Sequence, residues 1–563
     1  MTIRKAFYFI LSFTVVVLSV GCSSFSDVKS GKNKVEYEVK FKILQINDVY
    51  KIEGLERGDI GGIARVRTLR KELEKEGQPV LVLLAGDFLF PSVMSKYLQA
   101  RPMVDMLNLL DGDPAAFDPY LIVTFGNHEF ENKVPEILFD RIVQSDFRWV
   151  ASNVRYCSAK GDAGLPFSHR FYNVHDTIVL DIGGALVGIF GLTINSEERD
   201  YVEYDYELPE RYDAVKKAID TLKAQGAHMI VALTHQDMGE DESLASYFPE
   251  IDIVVGGHDH SYSKKQVGRT WITKADADAR SAIVYDVSIP PNAPVGTIPQ
   301  KVDLNKNTKA EDPVIDKEVD DWMDKLSKRF HDLKRHDLNE PIGHTKYKLE
   351  GVETAVRKKE TVLGNFLTDV IRDKMETDIA FINGGGIRIN DDIPANGTIT
   401  VYDMEGIFYF ENNLVDFELT GEELLDILNI SVQNVDKGDG RFLQVSGIKF
   451  KYHDKSSQGK PGYEVKQEDV VLKHWGESNF TPLAREKTYT AGSVDYLWEK
   501  GYKDGYTIFS QGDKDNKGTS PKRIHLDKSI SFRDETTETI KKLVKEGKMI
   551  TTDIEGRITK VSD

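Results

Sequence analysis

Five short apolar runs in the first half of the chain each end in residues of the kind that bind metal ions, and this recurrence restricts the fold more than any bulk property. In order, the run ends are Asn47-Asp48-Val49-Tyr50, Gly86-Asp87, Gly126-Asn127-His128-Glu129, Thr234-His235 and Gly256-Gly257-His258-Asp259-His260. The runs are Phe41 to Ile46, Val80 to Ala85, Leu121 to Phe125, Met229 to Thr234 and Ile251 to Val255, with a weaker one at Phe147-Arg148-Trp149-Val150. Most are apolar on both faces, as expected for strands of a sheet covered by helices. Helical spacing fills the stretches between, as at Ile63 to Glu76 and Arg211 to Gln225. The expected class is α/β, a layered domain with its site outside the carboxyl ends of the strands.

Carboxylate, amide oxygen and imidazole together suit borderline divalent cations such as zinc, manganese or iron. Asp87 is the natural bridge, since two carboxylate oxygens can reach two cations about 4 Å apart. The glycines before Asp87 and Asn127 let the chain turn sharply beside them. One histidine after a strand is more often a satisfied structural residue than a ligand. Five such ends in order leave little room for coincidence.

At 563 residues the chain is too long for one core, so two substantial domains are expected. Hydrophobic content of 40% and charged content of 29% are those of a folded body, with no long biased tract. Between Asp312 and Asp337, residues Val319, Trp322, Met323, Leu326 and Phe330 return to one helical face, which predicts a charged amphipathic linker helix. Beyond it, helical patterns at Thr361 to Lys374 and Gly421 to Val432 alternate with strand patterns at Ile379 to Ile382, Leu414 to Leu419 and Gly447 to Tyr452. The expected organisation is a signal at 1–22, a tether at 23–40, a first domain at 41–311, a helical linker at 312–340 and a second α/β domain at 341–563.

Arg4 and Lys5 precede an uncharged run from Ala6 to Val20 that closes in Leu18-Ser19-Val20-Gly21-Cys22-Ser23. This reads as a secretory signal, and its Gly-Cys ending resembles a bacterial lipobox whose cysteine is lipidated. Ser19 stands where an aliphatic residue is usual; an ordinary cleaved signal with an incidental Cys22 is the alternative. With Cys22 lipidated, Cys157 is the one cysteine left, so no internal disulfide is expected and Cys157 reads as a small apolar residue. Loss of residues 1–21 removes Arg4 and Lys5 and no acid, taking the formal charge from −18 to −20. Such a surface repels polyanions, so a nucleic-acid polymer is not an expected partner. A small anion stays possible because bound cations reverse the local field.

The ordered motifs resemble those of the calcineurin-like metallophosphoesterases, specifically the 5′-nucleotidase/UDP-sugar hydrolase family, over both domains. The resemblance implies two divalent metal ions, one served by Asp48, Asp87 and His260, the other by Asp87, Asn127, His235 and His258. It also implies that His128 faces the substrate, stabilising phosphoryl charge or protonating the leaving oxygen, as a histidine can near neutral pH. Two positions depart from the family pattern. Glu131 stands where an aspartate commonly orients the catalytic histidine, and Tyr50 where the family has its first metal histidine. A phenol deprotonates only beside a strong Lewis acid, so a direct Tyr50 ligand favours trivalent iron. In the other reading, which we favour, Tyr50 packs nearby while water or Asp59 fills the gap.

The second domain resembles the family's substrate-binding domain. The carrying segments are Glu360 to Asn365, Asn383-Gly384-Gly385-Gly386-Ile387-Arg388, Phe408-Tyr409-Phe410, Phe442 to Gly447 and Asp504-Gly505-Tyr506. A glycine run ending in arginine lets a ligand approach the backbone while the guanidinium holds an anion, which makes Arg388 the leading anion contact. The resemblance adds Asn365, Asn383 and Asp504 to the substrate residues and implies a base stacked between Phe410 and either Tyr496 or Tyr506. Phe410 reads equally well as a core aromatic. Lys359 lies where relatives usually carry an arginine, keeping the charge without the bidentate fork. The implied activity is hydrolysis of nucleotide phosphate monoesters outside the cytoplasm by a lipid-anchored enzyme. Its rivals are hydrolysis of cyclic nucleotides, nucleotide sugars or another small phosphate ester, and an inactive surface binding protein of the same fold.

Overall fold

The computed structural model describes residues 35–158, 163–195, 199–334, 336–456, 460–509 and 529–561, with the short strand Lys522–Arg523. The signal and Cys22 lie outside the described residues.

Leu81, Leu83, Val82 and Leu84 show why the first domain has layers. Alternate residues of a strand point to opposite faces. Leu81 and Leu83 enter one apolar cluster, whereas Val82 and Leu84 enter another. The first cluster lies between two sheets: Phe41, Ile43, Leu81, Leu83 and Ile122 meet Val187, Ile189, Val231, Leu233 and Val255. The second packs Val82 and Leu84 against Val66, Leu69 and Leu73 of the helix Ile63–Glu74. The expected layered α/β domain is present, with its strands divided between two sheets packed face to face. Each sheet has helices on its outer face and the other sheet on its inner face.

The strands of the first sheet run in the order Gly296–Asp303, Ser281–Ile289, Val39–Ile46, Val80–Leu84, Leu121–Thr124, Arg148–Val150 and Val174–His175. The second sheet runs Ser263–Val267, Thr270–Lys274, Ile253–Gly256, Met229–His235, Ala185–Thr193 and Thr177–Ile182. Val39–Ile46, Val80–Leu84, Leu121–Thr124 and Arg148–Val150 are mutually parallel. Met229–His235 is parallel to Ile253–Gly256 in the other sheet. Parallel order gathers their carboxyl ends together.

The helix Pro313–Lys334 buries Ile315, Val319, Leu326 and Phe330 against the first domain, beside the helices Ile63–Glu74, Val93–Leu98 and Arg101–Asn108. The expected linker is thus docked along most of its length. In the second domain a sheet ordered Leu443–Ser446, Ile379–Asn383, Thr488–Val494, Asn413–Thr420 and Lys522–Arg523 carries the helices Val362–Met375 and Gly421–Val432. Thr361 and Thr420 cap these helices by accepting from Gly364 N–H and Glu423 N–H.

Candidate metal centre and substrate cavity

The turns that follow the strands place the ligand-type residues in unusual backbone conformations. Asp48, Asp87, His258 and His260 have φ of 53°, 56°, 83° and 55°. A non-glycine residue held there costs on the order of 1–3 kcal/mol, and such strain gathers at functional sites. Gly126 permits the close approach: a Cβ there would lie 2.1 Å from Asp87 Oδ1. Glu129, wholly buried, binds the two loops together by accepting from the N–H groups of Asp87, Phe88, Leu89 and Gly126 at 2.6 to 3.0 Å.

Asp48, Asp87 and His260 bring their donor atoms within 4.8 Å of one another. His260 Nε2 lies 3.3 Å from Asp48 Oδ1. Across Asp87, His235 Nε2 is 3.0 Å from Oδ2, and the rings of His235 and His258 lie 5.2 Å apart. His258 Nδ1 is 3.2 Å from Asn127 Oδ1. Short contacts therefore link all six expected metal residues, with Asp87 between the two groups.

The donor chemistry fits cations. His235 Nδ1 lies 2.7 Å from the Ala85 carbonyl and donates to it, which directs Nε2 at Asp87 with no hydrogen-bond partner of its own. A buried nitrogen facing a carboxylate oxygen needs a proton or a metal between them. Burial pulls the His235 imidazole down, but Asp87 and Asp48 raise it to about 9. His260, likewise opposed by burial, is raised to about 10 by Glu353 and Asp48. Burial and the neighbouring His235 push His258 down to about 3, which keeps its ring neutral with one nitrogen lone pair available.

Tyr50 points into this cluster. Its hydroxyl lies 3.0 Å from Asp87 Oδ2, 3.0 Å from His260 Nε2 and 3.4 Å from Asp48 Oδ1. The reading in which Asp59 fills the gap is corrected, because Asp59 is half exposed and paired at 2.5 Å with Lys306. Burial and the two aspartates push the Tyr50 phenol well above its ordinary range.

His128 stands beside the cluster, its backbone N–H donating to Asp87 Oδ1 at 2.8 Å. Its Nδ1 is 3.0 Å from Glu131 Oε2, so the longer carboxylate does reach. Its Nε2 is 3.4 Å from Arg388 Nη2 of the second domain. Both domains line a cavity of about 430 Å³ that holds Asp87, His128, His258 and His260 on one wall and Arg357, Lys358, Lys437 and Arg441 on the other.

Several expected substrate residues stand elsewhere. Lys359 is exposed and paired with Glu350 at 2.7 Å; Arg357, two residues earlier, enters the cavity instead. Asn365 is wholly buried, donating to Glu360 and to the Asp553 carbonyl, so it braces the C-terminal segment. Tyr506 is buried, donates to the Arg441 carbonyl and packs on Phe509, which removes it as a stacking ring. Asn383 lies buried beneath the Gly384–Gly386 turn, its Oδ1 without a hydrogen-bond partner. Phe410 is 39% exposed with the Arg388 guanidinium 5.6 Å from its ring, so it is not a core aromatic. Tyr496 donates to Asp504 at 3.4 Å.

Residues 41–262 match the family described as calcineurin-like phosphoesterase, and residues 341–511 match the 5′-nucleotidase C-terminal domain. The chain belongs to the 5′-nucleotidase family of calcineurin-like metallophosphoesterases. Members of this family are hydrolases that use divalent metals. The chain is 27% identical over 538 residues to the trifunctional nucleotide phosphoesterase protein YfkN of Bacillus subtilis, covering 88% of this chain but 34% of that protein. It thus spans about a third of the length of that relative. It is also 27% identical to the snake venom 5′-nucleotidase of Naja atra, over 86% of this chain and 94% of the relative. In fold it is similar to the 5′-nucleotidase precursor of Thermus thermophilus, with a TM-score of 0.72 and 24% identity over 93% of this chain and all of that one.

Glu353, Arg357 and Lys274 went unrecognised in the sequence. The first two carried a signal, an acid and a base four residues apart ahead of the Glu360 motif. Lys274, fully buried, pairs with Asp259 at 2.7 Å and so steadies the turn between His258 and His260. Nothing local marks it out from a strand-end lysine.

Proposed function

We propose that the chain hydrolyses phosphate monoesters of nucleotides, 5′-nucleotidase-like, outside the cytoplasm. The observation that carries this reading is that His128 lies between the acid–histidine cluster and Arg388, so a phosphate can meet both at once. Asp48, Asp87 and His260, with the Tyr50 hydroxyl packed beside them, would hold one divalent cation, and Asp87, Asn127, His235 and His258 the other. Cations bound there supply Lewis acidity toward water and the phosphoryl oxygens.

The remaining steps belong to side chains. Arg388 and Arg357 bind the phosphate, with Arg388 exchanging its contact with His128 Nε2 for a phosphoryl oxygen. Glu131 holds His128 through Nδ1, which directs Nε2 at the leaving ester oxygen, the place for a proton donor. Phe410 and Tyr496 grip the base, and Asp504 orients Tyr496. Export fits relatives named as venom enzymes, and a lipid on Cys22 would tether the exported protein to a membrane. Among the described residues no helix is long and apolar enough to cross a membrane.

The test is phosphate release from a panel of nucleoside monophosphates, cyclic nucleotides and nucleotide sugars, by chelated protein resupplied with manganese, zinc or iron. The highest kcat/KM is expected for a nucleoside monophosphate. Protein that takes up no metal and releases no phosphate would sink the reading. The trifunctional name of the Bacillus relative favours a second reading in which other nucleotide esters are also cleaved.

A further inference from the structure

Four bases and two acids line the second-domain wall of the cavity: Arg357, Lys358, Lys437 and Arg441 against Glu353 and Asp439. Both acids are already engaged. Glu353 accepts from Arg357 at 2.6 Å and from Arg388 at 2.9 Å, and Asp439 pairs with Arg441 at 2.8 Å. Asp436, next to Lys437 in the chain, is held by the Tyr463 hydroxyl at 2.6 Å and by Lys560 at 3.7 Å. Among the described residues, Lys358 and Lys437 are therefore left without an ion-pair partner.

The frame beneath the two lysines is fixed by hydrogen bonds. The Gly385 N–H donates to the Gly440 carbonyl at 2.8 Å and the Gly384 N–H to the Phe442 carbonyl at 2.6 Å, which ties the loop 434–441 to the turn that leads into Arg388. Within the loop, Asp439 accepts from Asn434 Nδ2 and from the Arg441 N–H, each at 3.1 Å. Gly438, with φ of 69°, ends the helical turn Val435–Lys437, and a Cβ there would lie 3.0 Å from Lys358 Cε. The stem of Lys358 thus crosses the turn that carries Lys437.

This turn lies between the metal residues and the grip on the base. At one end, Lys437 lines the cavity together with Asp237, to which it is attracted and whose Oδ1 is 3.8 Å from His258 Nε2. At the other end, Arg441 Nη1 approaches the backbone next to Asp504, since a Cβ on Gly505 would lie 3.4 Å from it. A nucleotide with its phosphate at the metal residues and its base at Tyr496 has its sugar alongside the two lysines.

We propose that Lys358 and Lys437 form a second anion subsite for a phosphate ester on the ribose, which makes a nucleoside bisphosphate the preferred substrate. The proposal rests on the nucleotidase reading above. A phosphate monoester carries about −1.5 to −2 charge near neutral pH, which two ammonium groups match. The single phosphate of a monophosphate meets Arg357, Arg388 and the acid–histidine cluster, and leaves both lysines unanswered. Water attacks the 5′ phosphorus of the bisphosphate, and the bond from phosphorus to the 5′ oxygen breaks. That oxygen takes a proton from His128, and one proton of the water replaces it. The products are inorganic phosphate and a nucleoside that keeps its ribose phosphate.

The test measures kcat/KM of the full chain for adenosine 5′-monophosphate and for adenosine 2′,5′- and 3′,5′-bisphosphate under one cation, with the products separated by chromatography. One bisphosphate is expected to exceed the monophosphate at least tenfold, through KM, and to yield adenosine that retains its ribose phosphate. The better isomer shows which ribose oxygen the lysines serve. Lys437→Met and Lys358→Met are each expected to reduce that advantage about tenfold, the size of one charge-assisted contact, whereas Lys437→Arg keeps it. Lys437 is exposed, so its variant decides the matter if Lys358→Met does not fold. A merely structural role would lower all three substrates together, and an unchanged ratio in Lys437→Met would overturn the subsite. So would bisphosphates no better than the monophosphate in the unaltered protein. An equal, lysine-dependent gain with adenosine diphosphate would place the second phosphoryl group beside the first and overturn its assignment to the ribose. Unaltered protein that hydrolyses none of these compounds would instead overturn the nucleotidase reading beneath the proposal.

Discussion

His128 has neighbours on three sides, and each bounds what its loss should do. Glu131 holds Nδ1, Asp87 holds the backbone N–H and Arg388 lies at Nε2. Removing the imidazole deletes the proton donor but leaves the acid cluster and the arginines. His128→Ala is therefore expected to lower kcat by about 10²–10⁴, with a KM change under about threefold, in steady-state phosphate release. Tyr50 is separable by metal analysis. Tyr50→Phe keeps the ring and removes the oxygen facing Asp48, Asp87 and His260, so it should reduce bound cation toward one per chain, whereas Tyr50→His should keep two. Equal cation content in Tyr50→Phe and the unaltered protein would exclude the hydroxyl as a donor. The histidines also set a pH dependence. In cation-free protein His235 and His260 are raised to about 9 and about 10, above an unfolded value near 6.5. Their contribution to stability is complete below about pH 6.5 and disappears as pH rises through about 9 to 10. Chelated protein should accordingly lose Tm across that interval, and added cation should restore it most strongly at the alkaline end. A flat Tm in chelated protein would contradict the pairing.

Elements differ in how openly their residues announce them. The helix Pro313–Lys334 follows directly from the spacing of Val319, Trp322, Met323, Leu326 and Phe330, because that stripe has no use except to be buried. Leu326 is fully buried, and Leu326→Ala should cost about 2–5 kcal/mol in thermal or urea unfolding while leaving kcat at the distant cavity unchanged. The strands were equally legible as runs, but their apolar character on both faces could not say whether the second cover was helix or sheet. Val231 and Leu233 look like residues beneath a helix, yet they pack against the first sheet. Asn365 misled for a related reason. Its motif marks a helix start beside a buried Glu360, and only the returning C-terminal segment, with Glu555 and Arg557 donating to Glu360, reveals a bracing role.

Across the whole molecule, the parallel strands gather one domain's ligand-type residues and the second domain supplies the arginine and lysine side chains that face them. Neither half lines the cavity alone: His128 and His258 come from one and Arg357 and Arg441 from the other. Attachment to a membrane is a separate matter for the segment before Val35. Cys22→Ser is expected to move the protein from the membrane fraction to the soluble exported fraction, and an unchanged distribution would remove the lipid from Cys22.

The order and chemistry of Asp48, Asp87, Asn127, His128, His235, His258 and His260 were determined by sequence alone, because turn glycines and ligand types at strand ends are local properties. Glu131 belonged to the same local pattern, three residues after His128. What only the tertiary structure decided was which charges meet across the two domains. Glu353 against His260, Arg388 against His128 and Arg357 in place of Lys359 all depend on how separated segments pack. Side-chain identity states what a residue can bind, whereas its partner in space depends on the packing of every layer between them.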